Sequence, residues 1–294
     1  RDLGLEKQQI LVPNTYIFYG QLCAAWFGHP EREMTFIGVT GTNGKTTTTN
    51  VIKHILTANG YLVGLIGTIQ NEIGDQVLHT DNTTPMVYDL MALYRKMADA
   101  GCDYVVMEVS SFGLVQHRIG PTHFRAAVFT NLTQDHLDYH KNMQNYLKAK
   151  LKLFDLLKES CKKKKLAIVN IDTDYFKEIS NYIKKLNLKI ITYGLNEKAD
   201  YYGKIISLNS KSTEYEFYAK GKFISKVKLS MLGRFNILNS LSVLAYACEY
   251  KLDIKKAIKS ISKVQVAGRF EIVTNEKHPF IVAIDYSHTP DSLK

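Results

Sequence analysis

The chain has 294 residues, 45% hydrophobic and 22% charged, with a formal net charge of +10 at pH 7. That balance excludes a disordered or fibrous chain and leaves room for a sizeable core and more than one domain. No apolar run approaches the roughly 20 residues needed to span a bilayer, and the start carries no secretory pattern. In chain order, the apolar run Phe36–Val39 predicts a strand and Thr48–Asn59 a helix. Tyr61–Ile69 predicts a second strand, followed by a polar, hairpin-like stretch and a helix over Met86–Ala100. Tyr104–Val109 and Ala126–Leu132 read as buried strands, Met143–Leu157 as a helix, Ala167–Asn170 as a strand and Tyr175–Leu186 as a helix. This alternation predicts an α/β fold, a mostly parallel sheet with helices on both faces. From Tyr201 to Leu229 the pattern changes to short alternating segments such as Glu214–Tyr218, which predict a small antiparallel β region. Helices over Asn236–Tyr250 and Ile254–Ile261, then strands over Phe270–Val273 and Phe280–Ile284, complete the pattern.

Much of the positive excess lies in Lys162–Lys165 and between Lys184 and Lys228, with no aromatic-interleaved basic motif. Solvated lysines, or an anionic substrate, account for it better than nucleic acid does. Cys23, Cys102, Cys161 and Cys248 are scattered without metal-ligand spacing, so reduced thiols in a cytoplasmic protein are expected. The chain starts at Arg1 and stops at Lys294 just after an apolar strand and a polar turn, so it reads as a piece of a longer protein.

Ligands of open parallel sheets gather at the carboxyl ends of the strands, so the polar residues after each strand are the ones to inspect. After Val39 comes Gly41-Thr42-Asn43-Gly44-Lys45-Thr46-Thr47. Strand, glycine loop, lysine, hydroxyl and helix form a phosphate-binding loop (P-loop): glycines free backbone N–H groups for an anion, and the helix start adds positive potential. Lys45 can reach the β- and γ-phosphates, and the Thr46 hydroxyl can hold Mg²⁺. Val39 stands where the usual spacing has a glycine, and four threonines following Lys45 fill a helix poorly.

Glu108 ends an apolar strand, where a carboxylate is costly to desolvate without a partner such as a metal ion. The run Asn131–His140 concentrates polar groups after another strand, and His136 could bind a metal or a phosphoryl oxygen. Tyr146, Lys150 and Phe154 share one helix face. A lysine buried there would lose its proton easily and could add CO₂ to become a metal-binding carbamate. Helix spacing alone favours a lysine snorkelling to the surface.

Taken together, Gly41–Thr47, Glu108-Val-Ser-Ser111, Asn131–His136, Leu232-Gly-Arg-Phe-Asn236 with Asn239, and Gly268-Arg-Phe-Glu271 resemble the Mur ligase family, the ATP-dependent amide-forming enzymes of peptidoglycan synthesis. Asn82-Thr-Thr-Pro85, Leu114-Val-Gln-His-Arg118, His136–His140 and Asp285–Leu293 are similar to the members that add the third peptide residue. The resemblance runs from about Ala25 to the end of the chain.

It implies a ligase that adds a diamino acid, meso-diaminopimelate or L-lysine, to UDP-N-acetylmuramoyl-L-alanyl-D-glutamate through an acyl phosphate. It further implies that Gly41, Thr42, Asn43, Gly44, Lys45, Thr46 and Thr47 hold ATP, with Asn236, Asn239, Arg269 and Asp285 lining the nucleotide site. Thr46, Glu108, His136 and carbamylated Lys150 would hold Mg²⁺, with Lys45, Lys150 and His136 catalytic. Asn82, Thr83, Thr84, Ser110, Gln116 and Arg118 would grip the muramoyl dipeptide. Residues 34–270 would form the central ATP-binding domain. Residues 1–33 would be the remnant of an N-terminal UDP-substrate domain, and residues 271–294 the start of a C-terminal amino-acid-binding domain. A cytoplasmic monomer without nucleic-acid or membrane partners is expected. Two positions depart from the family pattern: Phe112 follows Ser111 where relatives usually have histidine, and Met86 follows Pro85 where they often have an acid. The alternatives are another Mur or folylpolyglutamate-type ligase, and a P-loop NTPase that couples hydrolysis to motion.

Overall fold

The structure is a computed structural model that describes residues 9–209, 213–274, 280 and 282–288. Its first helix is α1 (Thr15–Trp26). Then follow β1 (Thr35–Thr40), α2 (Lys45–Ala58), β2 (Val63–Ile66), β3 (Asn71–Ile73), β4 (Gln76–Leu78), α3 (Val87–Asp99) and β5 (Tyr104–Glu108). Next come α4 (Ser111–Val115), β6 (Phe124–Phe129), α5 (Leu137–His140), α6 (Met143–Glu159), β7 (Leu166–Asn170), α7 (Phe176–Lys185) and β8 (Lys189–Gly194). The remainder is β9 (Tyr201–Leu208), β10 (Thr213–Ala219), β11 (Lys222–Leu229), α8 (Arg234–Glu249), α9 (Ile254–Ile261), β12 (Glu271–Ile272) and β13 (Ala283–Ile284).

Strands β1 to β11 form one sheet in the order β11-β10-β9-β8-β7-β6-β1-β5-β2-β3-β4. The stretch from β9 to β2 is parallel throughout. Both ends turn antiparallel, through β10 and β11 on one side and β3 and β4 on the other. The antiparallel region expected around 201–229 is present, and it extends the main sheet because β9 pairs parallel with β8. The strand pair β12–β13 stands apart. Of the predicted strand Phe280–Ile284, residue 281 lies outside the described residues, as do residues 1–8 and 289–294.

Alternation along the strands builds two cores. Ile37, Val39, Val106, Ala126 and Val128 pack with α2, α8 and α9. Phe36, Val105, Met107, Ala127 and Phe129 pack with α1, α3, α6 and α7 on the other face. A sheet buried on both faces needs nearly continuous apolar strands, which is the composition read from the sequence. Val39 belongs to this core and is fully buried. The strand runs on to Thr40, which explains why the phosphate loop begins only at Gly41.

The lysine run is exposed at Lys163 and Lys164 and partly exposed at Lys162 and Lys165, and three of its ammonium groups also bond backbone carbonyls. Lys162 donates to the Met34 carbonyl at 3.1 Å and Lys165 to the carbonyls of Lys158 and Ser160 at 2.7 and 2.9 Å. Lys164 donates to the carbonyl of Glu249. The ammonium groups of Lys164 and Lys165 satisfy carbonyls at the carboxyl ends of α8 and α6, where cations are favoured.

Glu249 is a second junction. Its buried carboxylate accepts from Lys189 at 2.9 Å, Lys220 at 3.0 Å and the Tyr201 hydroxyl at 2.9 Å. Burial by itself would raise this carboxyl, but the hydrogen bonds from Lys189, Lys220 and Tyr201 pull it from the usual 4.5 down to about 2. The folded value lies below the unfolded one, so the contribution is complete above about pH 5 and fades as pH falls towards about 2. Glu249→Gln is therefore expected to flatten the acid-induced loss of stability across that window. An unchanged slope in circular dichroism would reject this role.

Candidate active site

Strands β6, β1, β5 and β2 are neighbours, and their carboxyl ends open on one cavity of about 420 Å³. The register of β1 with β5 pairs Val39 with Glu108, so the carboxylate stands level with the residues that enter the phosphate loop. The loop is held from β6. Thr42 N donates to the Asn131 carbonyl at 3.0 Å, and Asn43 N to Asn131 Oδ1 at 2.9 Å. Thr130 Oγ1 donates to the Asn43 carbonyl at 2.6 Å, and Thr133 N to Thr42 Oγ1 at 3.0 Å. Gly41 has φ +145°, and a Cβ there would lie 1.9 Å from Thr130 Oγ1, so only glycine lets the loop approach β6 this closely.

Helix α2 starts at Lys45, earlier than the predicted Thr48, and its first turn has no side-chain cap at Gly44. Its opening amides are thus placed for an anion. Three of the four threonines, poor helix formers, make side-chain hydrogen bonds. Thr46 Oγ1 donates to Glu108 Oε2 at 3.0 Å, Thr48 Oγ1 reaches Asn239 Oδ1 at 3.4 Å, and Thr49 Oγ1 donates to the Thr46 carbonyl at 3.0 Å.

Lys45 Nζ donates to the Gly41 and Thr42 carbonyls at 3.0 and 2.7 Å. Lys150 Nζ donates to the same Gly41 carbonyl at 2.7 Å. Lys150 is 1% exposed and does not snorkel; with Tyr146 and Phe154 it forms a buried face of α6, and its ammonium sits 4.4 Å from the Tyr146 ring centroid. Burial, reinforced by the nearby Lys45 charge, pushes Lys150 well below the usual lysine range. Burial and then Arg269 also lower Lys45, opposed by Glu108. Two ammonium groups cannot share one carbonyl cheaply, so the geometry favours a neutral amine on Lys150.

Glu108 is 1% exposed. Its Oε1 accepts from Thr68 N at 2.8 Å, and its Oε2 from the hydroxyls of Thr46 and Thr68, each at 3.0 Å. All of these donors are neutral and no direct ion pair to Glu108 forms among the described residues, so the buried carboxylate is suited to a cation. Thr68 was absent from the sequence-derived site because the predicted strand ran through it. The strand ends at Ile66, and Gly67 lets the chain pass against Glu108: a Cβ there would lie 2.5 Å from Oε1. Its place after a strand end was the available signal.

His136 lines the cavity, half exposed, with Nε2 3.3 Å from Asp135 Oδ2. Burial lowers its imidazole below the usual value, which favours the neutral, ligating form. Among the described residues no three His, Cys, Asp or Glu side chains gather as a metal group. Any cation here would rely on Glu108, the Thr46 hydroxyl and groups such as His136 and a modified Lys150.

The expected acceptor residues do meet. Arg118 donates to Gln116 Oε1 at 2.8 and 2.6 Å, to the Thr84 carbonyl at 3.1 Å and to Asn82 Oδ1 at 3.4 Å. Thr83 Oγ1 lies 3.0 Å from Thr68 Oγ1, and Thr84 Oγ1 bridges the Glu108 carbonyl and Ser110 N at 3.0 Å each. Ser110 caps α4. Arg269 reaches across to donate to Thr46 Oγ1 at 3.0 Å.

Other expected residues sit elsewhere. Asn236 and Asn239 are buried on α8 and bond each other at 3.2 Å, with Asn239 beneath Gly44, so they back the loop instead of lining the cavity. Asp285 accepts from Phe270 N at 2.6 Å and Ser287 N at 2.8 Å, while its neighbours Tyr286 and His288 line the cavity.

Residues 39–247 match the model of the Mur ligase middle domain. The chain belongs to the Mur ligase family. A UDP-N-acetylmuramoyl-L-alanyl-D-glutamate–2,6-diaminopimelate ligase of Clostridium perfringens is 39% identical over 272 residues, covering 92% of this chain and 54% of that protein. The protein of the same name from Bacillus velezensis is 38% identical over 298 residues, covering 100% and 60%. A solved structure, also of a UDP-N-acetylmuramoyl-L-alanyl-D-glutamate–2,6-diaminopimelate ligase, superposes with a TM-score of 0.84 at 25% identity, covering 100% of this chain and 59% of that one. The chain thus spans a little over half the length of these Mur ligase relatives. No helix among the described residues is long and apolar enough to cross a membrane.

Proposed function

We propose that this chain is the nucleotide-binding part of an ATP-dependent acid–amino-acid ligase of peptidoglycan synthesis. The acceptor is UDP-N-acetylmuramoyl-L-alanyl-D-glutamate, and a diamino acid, meso-diaminopimelate or L-lysine, is added to it. The observation that carries the reading is the shared cavity: phosphate loop, buried carboxylate and Arg118-centred acceptor cluster open on one space. The names of the relatives support the same reaction. On this reading residues 34–270 are the ATP-binding domain, and the flanking residues belong to substrate-binding units. The protein acts as a cytoplasmic monomer.

Lys45 and the opening amides of α2 hold the phosphates. Thr46, Glu108, His136 and Lys150, if carried as a carbamate, would hold Mg²⁺, which would supply charge neutralisation at the phosphoryl oxygens. Arg118, Gln116, Asn82, Thr83, Thr84 and Ser110 orient the acceptor so that its D-glutamate side-chain carboxylate faces the γ-phosphate. Phosphoryl transfer gives an acyl phosphate, the incoming amine attacks it, and phosphate leaves from the tetrahedral intermediate. The deciding assay is phosphate release by the full-length protein with the muramoyl dipeptide and a panel of amino acids. Release that requires both acceptor and a diamino acid is expected. Release indifferent to any amino acid would favour an NTPase instead.

A further inference from the structure

Five rings cluster beside the cavity, Phe112, His136, Tyr139, His140 and Tyr146, and three of them, Phe112, His136 and Tyr146, line it. His140 stands between the others. It is 5% exposed, with centroids 4.9 Å from Tyr139, 5.0 Å from Tyr146 and 5.7 Å from Phe112. Its Nε2 lies 2.9 Å from the buried Ser111 Oγ. The imidazole therefore joins three elements: α4 through Ser111 and Phe112, α5 as its last residue, and α6 through Tyr146.

Tyr146 is the link to the chemistry. Its hydroxyl accepts from Thr42 Oγ1 of the phosphate loop at 3.3 Å, and its ring carries Lys150 Nζ at 4.4 Å. Phe112 also packs edge-on to His136 at 5.2 Å, so the same cluster sets the direction of that ring. A neutral imidazole suits the position because it can pack against the Tyr146 ring, tilted by 36°, and bond Ser111 at once. Phenylalanine offers only the ring contact and glutamine only the bond. Burial, followed by the nearby Lys150 charge, lowers the imidazole below its usual value.

We propose that His140 is a positioning residue: it fixes the Tyr146 ring, and through it the Lys150 amine and Thr42 of the phosphate loop. The kinetic arm of the test rests on the ligase reading, and the labelling arm does not. In the full-length protein, acetic anhydride labelling of Lys150, measured by peptide mass spectrometry against the exposed Lys148, reports the packing around the amine. His140→Gln is expected to raise relative Lys150 labelling by about tenfold, through local opening of the ring cluster. His140→Phe is expected to raise it less. In the ligase assay both are expected to lower kcat, by up to about 100-fold for Gln, with KM for the muramoyl dipeptide unchanged. Should His140→Gln fail to fold, His140→Phe alone still decides through its labelling ratio and kcat. Wild-type labelling and wild-type kcat in the folded variants would overturn the proposal. Changed labelling in a protein that shows no ligase activity in any form would uphold the positioning role and overturn the ligase reading.

Discussion

Lys45→Ala in the full-length protein is expected to lower acceptor-dependent phosphate release by about 1,000-fold or more, the scale of losing a charge aimed at a phosphoryl group. The lysine is held by the carbonyls of Gly41 and Thr42. Moving from those carbonyls to a phosphate exchanges neutral acceptors for charged ones, which strengthens each bond. Among the described residues, the nearest cations are otherwise used: Arg269 is engaged with Thr46, and Lys150 is buried at the cavity wall and is best held neutral. The fold should survive the change, because the loop is secured independently by Asn131, Thr130 and Thr133. Single-turnover phosphate release with a thermal melt as control checks this. Turnover equal to wild type would remove Lys45 from the catalytic assignment.

Lys150→Ala is expected to lower activity on the order of 100-fold, with partial recovery when short carboxylates such as acetate are added. The amine is fully buried and pushed towards its neutral form, which is the form that adds CO₂. Its neighbours are the ring of Tyr146, the Gly41 carbonyl and the Lys45 ammonium that shares that carbonyl. A carbamate there would be favoured by that ammonium and by a cation held with Glu108. Alanine leaves a cavity of the right size for a small carboxylate to stand in for the carbamate. If the variant is fully active, the carbamate is rejected. If it is inactive and no carboxylate restores it, Lys150 acts as an amine.

The parallel core of the fold was legible because fully buried strands leave apolar runs that polar connections interrupt. β8 escaped because it opens on Lys189 and follows a lysine-bearing helix with little contrast. α1 escaped because it is apolar on nearly every side and shows no helical stripe. In the site, Lys45, Thr46 and Glu108 were legible from their places after strands. Lys150 was not legible from spacing alone: periodicity shows which face a residue shares, not whether that face is covered. Asn236, Asn239 and Asp285 came from motif resemblance, which carries position in the chain but not the direction of a side chain. Thr68 and His140 act through contacts with residues 40 and 29 positions away in sequence, which no local pattern reports.

The phosphate loop is short in sequence, yet its supports are remote. Gly41 accepts from a lysine 109 positions later, Thr46 leans on a glutamate 62 positions later, and Arg269 arrives from 223 positions away. Contacts of such long range form late in folding, after the entropy of closing large loops has been overcome. The strand–loop–helix unit from Thr35 to Ala58 could adopt its local shape early and still lack every one of these partners. On the proposed reading, competence to bind nucleotide would be acquired only when β5, β6 and α6 have docked on β1. The site matures as a property of the whole sheet, and a partly folded chain carries the motif without the chemistry.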